Sequence, residues 1–130
     1  VIHAIRELTP LPILADPSHA AGCWDRVEPL ARAALAAGAH GLLIEAVAAD
    51  TDRALLRSDA DQGVGPEVLE RIVAYARREL ARHYLLHSSL ELNETAYLLG
   101  YEDAHSFFRA FHGWEGSPPG EWRARHALAT

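Results

Sequence analysis

The feature that most constrains the fold is one glycine set between two short apolar repeats. Within Ser89–Trp114, Leu92, Ala96 and Leu99 recur at i, i+4, i+7. Phe107, Phe108 and Phe111 form a second stripe, with Ala104 and Ala110 beside it to allow close approach. Each spacing is that of a short amphipathic helix. Gly100 suits a left-handed helix stop, and Tyr101-Glu102-Asp103 supplies the turn and an N-cap for the second helix. Helix, glycine turn, helix is the helix-turn-helix pattern.

Length decides how much can surround this element. The 130 residues make one ordinary domain or two very small ones. A hydrophobic content of 49% is ample for a core. No run approaches the about 18 apolar residues of a membrane helix, so no membrane partner is expected. The opening Val1-Ile2-His3-Ala4 lacks the charged and apolar regions of a signal peptide, which predicts a cytoplasmic protein. Cys23 is the single cysteine, so no internal disulfide forms, in keeping with a reducing compartment. All 12 basic residues are Arg. The net charge of -6 is uneven: residues 1–72 carry 6 Arg against 11 acids, and residues 73–130 carry 6 against 7. The acid sits mainly in the first half, yet the second half is not the basic patch of a strong phosphate binder.

Taken in order, residues 1–9 read as an amphipathic helix with Ile2, Ile5 and Leu8 inward. Leu11 to Ala15 is a short apolar run between prolines, the pattern of a buried parallel strand. Asp25 to Ala37 reads as a helix with Val27, Leu30, Ala34 and Leu35 on one side, stopped by Gly38. Gly41 to Val47 reads as a second buried strand, making a β-α-β unit. Ala48 to Gly65 is polar, with a short helix predicted around Asp52–Leu56 and a loop at Asp59–Gly63. Pro66 then opens a helix whose apolar period (Val68, Leu69, Ile72, Val73, Ala76, Leu80, Tyr84) runs on to about Leu86. That is about twenty residues, near 30 Å, with no linker between the halves. His83 and His87 stand four apart on it, a spacing that can share a metal. With no Cys or third His nearby in sequence, a solvated histidine-rich face is the plainer reading. Pro118-Pro119 precedes a last helix, Gly120–Ala127.

From about Tyr75 to Arg123 the sequence closely resembles the second helix-turn-helix of the AraC/XylS family of bacterial transcription regulators. The matching residues are Ala76-Arg77-Arg78-Glu79-Leu80-Ala81, Ala96-x-x-Leu99-Gly100-Tyr101, Phe108-Arg109-Ala110-Phe111, Trp114-x-Gly116, Ser117-Pro118 and Trp122-Arg123. The resemblance implies double-stranded DNA as partner, with the second helix in the major groove. Asp103, His105, Ser106 and Arg109 would then face base edges, Arg109 toward guanine O6 and N7. Arg109 belongs to a family-wide pattern, so a structural or backbone-contacting role weighs equally. Arg77, Arg78 and Arg82 on the long helix are candidate phosphate contacts. His112-Gly113 stands where relatives commonly carry basic residues, and the family's first helix-turn-helix is absent. One unit alone implies weak, salt-sensitive binding unless a homodimer forms.

Residues 6–70 are similar to the C-terminal end of DAHP (3-deoxy-7-phosphoheptulonate) synthase, the entry enzyme of aromatic amino-acid biosynthesis. The match runs through Leu11-Pro12-Ile13-x-x-Asp16-Pro17-Ser18-His19-Ala20-x-Gly22, Val27-Glu28-Pro29-Leu30-Ala31-Arg32 to Ala39, and Gly41-Leu42-x-Ile44-Glu45. A looser match occurs at Ser58-Asp59-x-x-Gln62 and Pro66-Glu67. In that family these are the last two β-α units of a TIM barrel, whose active sites lie at the C-terminal ends of strands. The resemblance implies that His19, Glu45 and Asp59 correspond to three of four divalent-metal ligands, a set suited to Mn²⁺ or Fe²⁺. The fourth ligand and the strands that hold phosphoenolpyruvate are missing, and Ala48 replaces a usual histidine. No catalytic residue is assigned, and catalysis by this chain alone is not expected; a metal-binding fragment, or one that completes a barrel with a partner, is the enzyme-derived alternative.

The expected fold is therefore α/β plus all-α. A β-α-β fragment of a TIM barrel (residues 1–70) is joined by a long shared helix to a helix-turn-helix bundle (residues 71–130). DNA binding is the expected function, and a folded interaction module without a ligand is the third reading.

Overall fold

The computed structural model describes residues 1–52 and 60–127. Over these the chain is mostly helical with one two-stranded parallel sheet. It divides into two compact units, Val1–Ala76 and Arg77–Thr130.

The first unit begins with α1 (Ile2–Leu8), β1 (Leu14–Ala15) and α2 (Pro17–Ala21). A 3₁₀ turn at Trp24–Arg26 leads into α3 (Val27–Ala36), followed by β2 (Gly41–Leu42). A second 3₁₀ turn, Ala60–Gln62, precedes α4 (Pro66–His87). Asp16 caps α2 by accepting the His19 N–H at 3.0 Å, and Pro17 fills the first helical position, where its missing N–H costs nothing. α3 ends where the sequence places its stop. Gly38 takes φ 95°, donating to the Leu35 carbonyl while Ala39 donates to that of Ala34, the two bonds of a Schellman cap.

β1 and β2 pair in parallel, Leu14 opposite Gly41 and Ala15 opposite Leu42, so the β-α-β order is present. One further parallel bridge joins Ala46 to Val64. The strands are much shorter than the predicted runs and less buried. Leu14 is 73% exposed and Leu43 60% exposed, and among the described residues the sheet has two strands only. α1 also departs from expectation. Leu8 is 84% exposed, and Ile5 is exposed too, so its apolar side finds no core. Val27, Ala31, Val64 and Ile72 make the core, with Leu42, Ile44, Val68 and Leu69 packed on it. On α3, Ala31 is buried in place of the predicted Leu30. The helix predicted around Asp52–Leu56 falls almost wholly outside the described residues, as does Asp59. Ala60–Gln62, predicted as loop, is the 3₁₀ turn.

The second unit comprises the later residues of α4 with α5 (Leu92–Leu98), α6 (Ala104–Glu115) and α7 (Pro119–Ala127). α5 ends in a second Schellman cap: Gly100, at φ 80°, donates to the Tyr97 carbonyl and Tyr101 to that of Ala96. Asp103 then caps α6. The core gathers Ala81, Leu85, Ala96, Leu99, Phe107, Phe111 and Trp122. Phe111 meets Phe107 and Trp122 edge-on at centroid distances of 5.7 and 5.6 Å, the arrangement that aligns positive ring edges with negative faces. The apolar period predicted for α4 is only partly used. Ile72 is buried in the first unit and Ala81 and Leu85 in the second, whereas Val73 and Leu80 are exposed.

Two glycines of this unit should respond to alanine with opposite signs. A Cβ on Gly113 would meet nothing within 4 Å, and α6 is helical there. Gly113→Ala should therefore raise stability by about 0.5–1 kcal/mol. At Gly100 the positive φ and a Cβ only 3.3 Å from Arg77 Nη2 make alanine strained. Gly100→Ala should lower stability by about 1–2 kcal/mol. Urea denaturation of both variants checks the pair; midpoints moving in the same direction would contradict it.

Candidate nucleic-acid interface

Burying Phe107 and Phe111 against the core leaves the other side of α6 to solvent. Three polar residues on this side are linked. Asp103 Oδ1 accepts the Ser106 N–H at 2.8 Å, and its Oδ2 accepts the Ser106 hydroxyl at 2.6 Å. Arg109 Nη2 donates to that same hydroxyl at 3.2 Å. The spacing i, i+3, i+6 makes this a short ladder along the helix, with a cation at its far end. The Ser106 side-chain and backbone hydrogen bonds hold the Asp103 carboxyl below its ordinary range, so it stays anionic and keeps the cap. His105 is exposed beside the ladder, its ring edge-on to Phe108 at 6.2 Å. Asp103, His105, Ser106 and Arg109 are thus brought together on one accessible surface.

Of the four arginines of α4, the three singled out as phosphate contacts, Arg77, Arg78 and Arg82, have other partners. Arg78 Nε donates to Glu115 Oε1 at 2.7 Å; Arg82 donates from Nε to Oε1 and from Nη2 to Oε2, both at 2.9 Å. Arg78 also donates to the Trp114 carbonyl, and Arg82 to Glu79. Arg77 lies over the Tyr101 ring, 5.1 Å from its centroid. Glu115 is the residue that sequence reasoning missed. It sits at the C-terminal end of α6, where the helix dipole disfavours an anion, so it needs cations nearby. That misplaced charge was the available signal. Its side chain is only 7% exposed. Burial alone would raise its pKa, but hydrogen bonds from Arg82 and Arg78 outweigh this and hold it below the usual carboxylate range.

In the first unit His19 and Glu45 have partners of their own. His19 Nδ1 is 2.7 Å from Asp16 Oδ2. Glu45 takes the Gln62 amide on Oε2 at 2.7 Å, and its backbone N–H donates to buried Ser18 Oγ at 2.9 Å. Asp59 lies outside the described residues. Among the described residues no group of three or more His, Cys, Asp or Glu side chains is placed to hold a metal ion. Nor is any helix among them long and apolar enough to cross a membrane.

Comparison with known families gives two overlapping matches. Residues 1–80 match the DAHP synthetase I family. The chain belongs to that family. Residues 69–125 match a helix-turn-helix domain of the AraC type, overlapping the first match over residues 69–80. Among curated relatives, the phospho-2-dehydro-3-deoxyheptonate aldolase of Thermotoga maritima is 46% identical over 69 residues, 53% of this chain and 20% of its own. The ornithine utilization regulator of Pseudomonas aeruginosa is 39% identical over 54 residues, 42% of this chain and 16% of its own. The HTH-type transcriptional regulator VqsM of the same organism is 36% identical over 72 residues, 55% of this chain and 21% of its own. The chain spans about a fifth of the length of these relatives. No solved structure matches it.

The Glu115 clamp has a measurable consequence. Removing the carboxylate in Glu115→Ala leaves two arginines about one-third exposed, which water can partly compensate. The expected loss is about 1–3 kcal/mol at neutral pH. Because the folded pKa is depressed, this contribution is present above the unfolded value of about 4.3 and disappears as pH falls through the folded one. Denaturation at pH 7 and near pH 3 should therefore show a stability gap between wild type and Glu115→Gln that narrows in acid. A gap of constant size would contradict the clamp.

Proposed function

We propose that residues 71–130 form a DNA reader acting in transcription regulation, with α6 entering the major groove of double-stranded DNA. The observation that carries this is the exposed side of α6, where His105, Ser106 and Arg109 stand together opposite the aromatic core. The AraC-type domain match and the two regulator relatives support the same reading. Arg109 is the base-directed group, held by Ser106 so that its planar fork is oriented before contact. Arg78 and Arg82 act indirectly, by fixing the end of α6 through Glu115. Asp103 caps the helix and balances part of the Arg109 charge. With few cations left for phosphate, a single reader binds weakly, and a homodimer spanning two half-sites would raise affinity. Such a regulator works in the bacterial cytoplasm.

The first 70 residues are, on this proposal, an incomplete TIM-barrel segment fused to the reader, without a synthase activity of its own. The parallel β1–β2 pairing with α3 between the strands favours that origin. Exposed Leu14 and Leu43 beside the short sheet are what a segment missing its neighbouring strands would present to a completing partner.

The test is fluorescence anisotropy of the intact chain on a random-sequence duplex pool, from low salt upward. Binding should weaken with salt at a shallow slope, roughly −2 in log–log terms for about two phosphate contacts. Arg109→Ala should cost about 1–3 kcal/mol of affinity on the sequences selected from that pool. Absence of binding at low salt would refute the reading.

A further inference from the structure

Two histidine rings meet on the second half of α4. His83 and His87 are both exposed, one helical turn apart, with ring centroids 5.0 Å from each other and planes tilted by 49°. We propose that this pair chelates a borderline first-row divalent ion, Cu²⁺ and Ni²⁺ ahead of Zn²⁺. The separation of the rings is compatible with a shared ion. A metal–nitrogen bond of about 2.0–2.1 Å puts each ring centroid roughly 3.2 Å from the ion. Nitrogen–metal–nitrogen angles between a right angle and the tetrahedral value then require centroids roughly 4.5–5.2 Å apart. The observed separation lies inside that window. A face-to-face stack would not, and the tilt shows that the rings are not stacked.

The surroundings favour a cation. His87 is the last residue of a 22-residue helix, at the end where the macrodipole is negative. Glu79, one turn before His83 on the same stripe, adds a carboxylate, partly offset by Arg82 at 3.2 Å. Imidazole nitrogens suit Cu, Ni and Zn, and the divalent stability order places Cu²⁺ and Ni²⁺ above Zn²⁺ at a two-nitrogen site. Among the described residues no third His, Cys, Asp or Glu completes a ligand set. This site is separate in residues and in ligand chemistry from the His19, Glu45 and Asp59 set of the first unit.

The experiment is calorimetric titration of the intact chain with NiCl₂ in a non-coordinating buffer at neutral pH, repeated with CuCl₂ and ZnCl₂. One Ni²⁺ per chain is expected, bound more weakly than Cu²⁺ and more tightly than Zn²⁺. Because each ring raises the local concentration of the other, His83→Ala and His87→Ala should each weaken binding by about a hundredfold. His19→Ala should leave it unchanged. Circular dichroism of the variants confirms that the helices persist. Binding that survives either α4 substitution, or that His19→Ala abolishes, would overturn the proposal.

Discussion

Burial of Phe107 and Phe111 is the constraint on which the second unit depends. Both rings are fully enclosed, and truncating either would remove about 3–5 kcal/mol, a large part of what so small a unit can have. Because they sit four residues apart on α6, enclosing them fixes the rotation of the helix about its axis. That rotation sends His105 and Arg109 to solvent. The accessible chemistry of α6 is thus a consequence of where its aromatic side goes. Gly100 serves the same end, since its left-handed turn lets α5 and α6 meet over one core.

Electrostatics refine this arrangement without creating it. The unit is nearly neutral, and its arginines are largely engaged: Arg78 and Arg82 on Glu115, Arg123 on the Leu90 carbonyl, Arg125 on Ser117. A domain that spends its cations on its own fold has little left for a general grip on phosphate. Whatever discrimination it achieves must come from a few oriented groups. The Asp103–Ser106–Arg109 ladder supplies such orientation, because an anchored guanidinium loses less freedom on contact than a mobile one.

What could be read from the sequence was local. The Gly100 and Gly38 stops, the Asp103 cap and the Phe107/Phe111 stripe are each set by residues within a turn or two of one another. The β-α-β order was legible for the same reason. Features set by distant neighbours were not. The strands are two residues each, shorter than the apolar runs, because an apolar run does not by itself set how far a strand pairs. Leu8 and Leu30 were predicted inward from periodicity alone, and periodicity does not say whether a partner surface is present. The Glu115 clamp joins residues more than thirty positions apart, beyond the reach of any spacing rule. At the first unit's candidate site, His19 and Glu45 were found by resemblance. Their partners Asp16, Ser18 and Gln62 came from the fold.

The exposed side of α6 is, on this reading, the surface that meets DNA. The most direct measurement is amide chemical-shift mapping of the intact chain as duplex DNA is added. The largest changes are expected at Asp103 to Arg109, with smaller ones along the adjoining turn. Shifts confined to α7 or to the first unit, or none at saturating duplex, would contradict it.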